Sequence, residues 1–192
     1  SRPEYQHIEF NIEGNPYAGP EENGFPGFMD LVLDVIPHQC TLVPDDPVQL
    51  TSDHGWDLHG ESNRLKSVLE DLHKQDIRVS LFMDPDAEQI ELASRLGTDR
   101  IEYYTGPYAD NYATEAQESV LAPFIETGGL AKNLGLGINA GHDLNLNNLA
   151  TFCTRVPSVA EVSIGHAIIT DALWMGLAIT VQKYRNILND LP

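Results

Sequence analysis

The chain is poor in cations. Its 192 residues carry 11 Lys plus Arg against 29 Asp plus Glu, a formal net charge of −18. A nucleic-acid surface needs clustered Lys and Arg to replace counterions on the phosphates, so nucleic acid is excluded as a partner. An anionic membrane surface is excluded on the same ground. A small anion is not, because backbone N–H groups or one local Arg can hold it. Cysteine is scarce as well. Cys40 and Cys153 lie far apart with no CxxC pair, and they read as two thiols of a reducing compartment. No apolar run approaches the roughly 20 residues of a membrane helix. The first residues, SRPEYQHIEF, lack the basic start and apolar core of a signal peptide. A cytoplasmic location is expected, with no membrane partner.

What is present is a regular alternation. The hydrophobic fraction of 42% and the length suit one domain with a sizeable core. Short apolar runs at 8–14, 39–45, 77–84, 100–106, 135–141 and 160–168 each carry or meet Gly, Pro, Asp or Asn on the C-terminal side, the punctuation of strands. Helical patterns fill the gaps. FPGFMDLVLDVI (25–36) and NRLKSVLEDLHKQ (63–75) space their apolar residues for one helix face. DAEQIELASRLG (86–97) starts after an Asp at an N-cap position and ends in Gly97. ATEAQESVLAPFIETGGLAKNLG, LNLNNLATFCTRV and one long helix over 169–188 complete the series. Six strand–helix units predict an α/β protein with a parallel sheet. An open doubly wound sheet and a (β/α)8 barrel both fit this order. A barrel usually takes about 250 residues, so length alone favours the open sheet.

In either architecture chemistry sits where parallel strands end. The first run carries Glu9, Asn11 and Glu13; the third ends at Asp84; the fourth carries Glu102; the fifth delivers His142; the sixth delivers Gly165 and His166. Glu9 alone also fits a surface position of an alternating strand. Glu102 is harder to place at a surface, because Ile101, Tyr103 and Tyr104 surround it, and a buried carboxyl costs stability unless paired. His142 and His166 alone also fit capping or core roles. Both follow a Gly, which lets backbone approach something closely. Gly165 and His166 stand where a strand turns into a helix, with free amides for an anion. The long connection at 44–60, with Thr51, Ser52, Asp53 and His54, reads as a lid or binding loop, or else as a solvated insertion.

The segments TLVPD, LTSDHGWDL, VSLFMDPD, IEYYTGPYA, LGLGINAGHDL and IGHAII, in this order from about residue 8 to 188, resemble the pyridoxine 5′-phosphate synthase family of vitamin B6 biosynthesis. The resemblance implies a TIM (β/α)8 barrel with extra helices, an octameric homo-oligomer, and no metal or other cofactor. It implies small phosphorylated substrates: 3-amino-2-oxopropyl phosphate and 1-deoxy-D-xylulose 5-phosphate condense to pyridoxine 5′-phosphate, phosphate and water. It assigns Glu9 as general acid/base, Thr51 as a substrate contact, Glu102 as a transition-state stabiliser and His142 as proton donor. Gly165 and His166 form the backbone phosphate site. Asp143 stands where the family often has a Gly whose backbone meets a substrate phosphate, and Tyr104 where it often has a His. Several proton transfers at one bound intermediate suit His and desolvated Glu, and a closing loop would keep water off it.

By the same resemblance the numbering starts at the third strand, so residues 1–192 are expected to form one incomplete barrel domain with about six of the eight units. The Asn, Asp, His and phosphate-holding Arg residues of the family's first two strands have no equivalent here. Six strands do not close an eight-stranded barrel, and open edges invite pairing with another chain. Two further outcomes are an inactive fragment that only binds phosphorylated ligand, and one half of a split enzyme. A metal-dependent hydrolase would use His54, His59, His142, His166, Glu9 and Glu102, but no HxH or HExxH pair anchors a metal.

Overall fold

A computed structural model describes residues 7–45, 49 and 51–191. Six strands are β1 (Asn11–Gly14), β2 (Gln39–Leu42), β3 (Arg78–Met83), β4 (Arg100–Tyr103), β5 (Gly137–Gly141) and β6 (Val159–Ser163). The helices between them are α1 (Phe28–Val35), α2 (Leu58–His73), α3 (Ala87–Leu96), α4 (Gly106–Asp110), α5 (Gln117–Asn133) and α6 (Leu149–Arg155). Two more follow β6: α7 (His166–Met175) and α8 (Leu177–Asn189).

Local chemistry sets the helix ends. The Asp86 carboxylate accepts from the Gln89 amide at 3.0 Å and starts α3, and Gly97 ends it, both as expected. Helix α2 begins five residues earlier than its apolar pattern, because Asp57 caps it by accepting from the His59 amide at 3.1 Å. The expected single helix over 169–188 is two. Gly176 adopts φ 80°, ψ 144°, which stops the i→i−4 bonds of α7 and lets α8 leave in a new direction.

All five strand pairs are parallel, in the order β1-β2-β3-β4-β5-β6. A doubly wound sheet reverses its order at a switch point. This one never does, so the open-sheet preference drawn from length is overturned. The sheet also curls. Gln39 Nε2 on β2 donates to Glu161 Oε1 on β6 at 3.4 Å, whereas four strand spacings in a flat sheet would hold them about 19 Å apart. The architecture is six consecutive units of a TIM-type barrel, a curled half-barrel.

Alternation along the strands sorts the side chains onto two faces. Cys40, Leu42, Val79, Leu81, Met83, Ile101, Tyr103, Ile138 and Ala140 form one apolar core with helix residues such as Leu65, Leu69, Leu72, Ile90, Phe124 and Phe152. Truncating any such buried Leu or Ile to Ala costs about 2–5 kcal/mol. The concave face is polar: Asn11, Glu13, Gln39, Thr41, Arg78, Ser80, Arg100, Glu102, Asn139 and Glu161 occupy the alternate positions. Strands β1 and β6 are the edges of the sheet. Apolar side chains stand exposed on α7 and α8, with Leu173 81% and Trp174 88% accessible.

Candidate active site

Three titratable side chains from three strands meet at the C-terminal mouth of the concave face. Glu13 (β1), Glu102 (β4) and His142, the residue after β5, line one cavity of about 650 Å³ with Ser163, Gly165, His166, Ile169 and Thr170. Among the described residues no Lys or Arg lines it. The parallel register places the groups. Glu13 pairs with Thr41 and Glu102 with Asn139, and the Thr41 hydroxyl donates to Glu102 Oε2 at 3.4 Å.

Glu102 is 2% exposed. Burial, then the neighbouring Glu13 and Glu161 carboxylates, hold its carboxyl well above the usual carboxylate range, against the opposing Thr41 hydrogen bond. Glu13 opens to water through the cavity, yet desolvation by the surrounding barrel also pushes its pKa up, with Asp45 adding and His142 opposing. Two carboxyl groups that disfavour ionisation side by side behave as one titrating unit.

His142 Nδ1 lies 2.9 Å from Asp143 Oδ2, and its Nε2 lies 2.6 Å from Thr51 Oγ1. The bond to Asp143 raises the imidazole pKa, against partial desolvation. The His166 ring meets it edge-on, centroids 5.6 Å apart. The backbone explains the Gly–His pairs differently at the two strand ends. A Cβ on Gly141 would fall 1.9 Å from the Ser163 carbonyl oxygen, so β5 can approach β6 only through a glycine. His142 then turns to φ 44° and donates its amide to the same carbonyl at 3.0 Å. A Cβ on Gly165 would meet nothing; there the backbone turns into α7, whose first-turn amides lack intrahelical partners.

Of the residues expected from sequence, Glu102, His142, Thr51, Asp143, Gly165 and His166 gather at this mouth. Glu9 does not. It is an exposed residue ahead of β1, and its Oε2 accepts from Arg78 Nη2 at 2.6 Å, a bond that lowers its pKa. Glu13, four residues on, keeps the same strand parity but sits about 13 Å further along, at the end where the cavity lies. The strand punctuation at Gly14 carried that signal: the carboxylate next to it is Glu13.

The connection after β2 folds back over the mouth. Trp56 Nε1 donates to the Leu42 carbonyl at 2.8 Å, and Ser52 Oγ to Asp45 Oδ2 at 2.6 Å. Gly55 lies against β3, where a Cβ would come 2.3 Å from the Asp84 nitrogen. Residues 46–48 and 50 of this loop, Pro47 among them, lie outside the described residues. Among the described residues no three His, Cys, Asp or Glu side chains group to hold a metal ion, and no helix is long and apolar enough to cross a membrane.

Carboxyls and a histidine at the strand ends of a curled parallel sheet, beside a helix N-terminus, are the arrangement of an α/β-barrel enzyme. Comparison with known proteins narrows that class. Residues 3–190 match the model of the pyridoxal phosphate biosynthesis protein PdxJ, and the chain belongs to this enzyme family. It is 52% identical over 180 residues to the pyridoxine 5′-phosphate synthase of Bacteroides fragilis strain YCH46, covering 94% of this chain and 72% of that protein. It is 47% identical over 184 residues to the synthase of Xylella fastidiosa strain 9a5c, covering 96% and 70%. Among solved structures, the trehalulose synthase MutB from Pseudomonas mesoacidophila MX-45 superposes with a TM-score of 0.64 at 10% identity, over 93% of this chain and 55% of that one. The BexX/CysO complex of Amycolatopsis orientalis gives 0.56 at 13% identity, over 91% and 66%. At such identities the likeness is one of fold.

Proposed function

We propose that the chain carries the acid–base half of a pyridoxine 5′-phosphate synthase site. In this reading 3-amino-2-oxopropyl phosphate and 1-deoxy-D-xylulose 5-phosphate condense and close to pyridoxine 5′-phosphate, with loss of phosphate and water. The observation that carries it is the convergence of Glu13, Glu102 and His142 on one cavity, beside relatives that bear this name. Imine formation, dehydration and ring closure each need a proton moved at a different atom. His142, with its raised pKa, serves as donor to the leaving oxygen. Glu102, held toward its neutral form, donates a hydrogen bond to developing negative charge. Glu13, nearer to solvent, takes the place expected for Glu9 as the exchanging acid/base. The first-turn amides of α7 at Gly165 and His166 receive a substrate phosphate, with Thr51 and Asp143 at the rim of the same pocket.

The reading includes a cytoplasmic, self-associating protein of one barrel domain, with the exposed apolar face of α7 and α8 in contact between copies. A second reading, ligand binding without turnover, draws on a cavity lining without Lys or Arg among the described residues and on β1 and β6 being unpaired edges of the sheet. One assay separates them. The chain is mixed with both substrates, alone and with the stretch of the Bacteroides fragilis synthase that this chain does not match supplied in trans. Product in either arm, abolished by H142A, supports the synthase reading. Pyridoxine 5′-phosphate binding without product in both arms supports the second.

A further inference from the structure

The His142 side chain is held from both ends, and the partner on Nδ1 is a carboxylate. Among the described residues at the mouth, Asp143 alone touches that nitrogen, at 2.9 Å. An ionised carboxylate can only accept, so Nδ1 carries the proton and the Nε2 lone pair is directed at the Thr51 hydroxyl, 2.6 Å away. We propose that Asp143 is a positioning residue: it fixes His142 as the Nδ1–H tautomer, aims Nε2 into the cavity, and makes His142–Asp143 the proton-transferring dyad of the site.

The turn around it is built to hold this aim. The amides of His142 and Leu144 donate to Ser163 and Gly141 at 3.0 and 3.1 Å. The buried Asn148 side chain donates to the Asp143 carbonyl at 3.3 Å. The Thr105 hydroxyl, at the start of α4, donates to the Gly141 carbonyl. A non-glycine residue at φ 44° is sparsely populated, and these bonds determine it from three sides. The other ionisable groups facing His142 are Glu13 on β1, Asp45 after β2, Glu102 on β4 and His166 on α7. Tyr104 faces Asp143 itself. None of these reaches Nδ1, so no described neighbour stands in for Asp143 there.

This deepens the synthase reading and rests on it only for turnover. Two-bond ¹⁵N–¹H spectra of the ring nitrogens, assigned with H142Q, read tautomer and titration without substrate. In the unaltered chain the proton is expected on Nδ1. D143A is expected to lose that preference and D143N to keep it, since an amide oxygen still accepts. Both should lower the His142 titration midpoint and shift the acid limb of the pH–rate profile in the same direction. Turnover should fall on the order of 10²-fold in kcat, with KM little changed. A proton on Nε2 in the unaltered chain, or a titration unmoved in both variants, overturns the proposal. Absent turnover with the expected spectra overturns the synthase reading and leaves the dyad standing.

Discussion

At the N-terminal end of the half-barrel, the described carboxylates Glu9 and Glu161 each meet a guanidinium. Arg78 Nη2 reaches Glu9 at 2.6 Å, and Arg100 Nη1 reaches Glu161 at 2.8 Å. Gln39 and Asn139 complete the network by accepting from the same two arginines. At the C-terminal end, Glu13 and Glu102 share a cavity lined by no Lys or Arg among the described residues, and the cation-forming group acting on Glu13 there is His142. The same residue types are therefore neutralised at one end and left titrating at the other. Pairing holds charge still and supports the fold, whereas a carboxyl without a permanent cation can gain and lose a proton near working pH.

Breaking the mouth should cost the most. Gly141→Ala drives a Cβ against the Ser163 carbonyl, so both thermal stability and turnover should collapse in a melting scan and a product assay. Next comes His142→Ala, with a kcat loss of about 10²–10⁴-fold and an unfolding midpoint close to that of the parent chain. Equal loss of stability would reduce His142 to a structural residue.

Glu102→Gln sharpens the contrast by moving activity and stability in opposite directions. The folded Glu102 pKa is raised by burial, so the folded state binds the extra proton. The group's favourable contribution is complete below the unfolded value and is lost as pH rises through the folded one. The parent should therefore lose stability with rising pH across that window, while the Gln variant keeps it and turns over on the order of 10²-fold slower. Denaturation midpoints across the pH range measure the first, and kcat the second.

At the paired end the pattern should reverse. Arg100→Ala strands the half-buried Glu161 and should cost about 1–3 kcal/mol in urea unfolding. The smallest effect belongs to Glu9→Gln, on an exposed side chain, which should leave kcat unchanged where Glu13→Gln lowers it. A kcat loss for Glu9→Gln alone would return the acid/base role to Glu9 and undo the contrast between the two ends.

Much of this was open to a reader of residues alone. The six apolar runs fall on the six strands, and Asp86 and Gly97 bound α3 as their chemistry requires. The runs that end in Glu102, His142 and Gly165–His166 do deliver those groups to one cavity. Such features are local: a two-residue alternation, a cap or a glycine acts within a few neighbours and leaves its mark in the order of residues. The choice between Glu9 and Glu13 was hidden from the alternation, because both share one parity of the same run, and only the punctuation at Gly14 marked it. It depends on the pairing of Asn11 with Gln39, a partner 28 residues away. The curl that brings Gln39 to Glu161 was hidden too, as was the contact of Gly141 with Ser163. So was the Arg78–Arg100 network that sets the guanidinium-paired carboxylates apart from the carboxyls of the cavity. Each is a long-range contact whose energy exists only once the strands are in register, and no stretch of chain a dozen residues long encodes it.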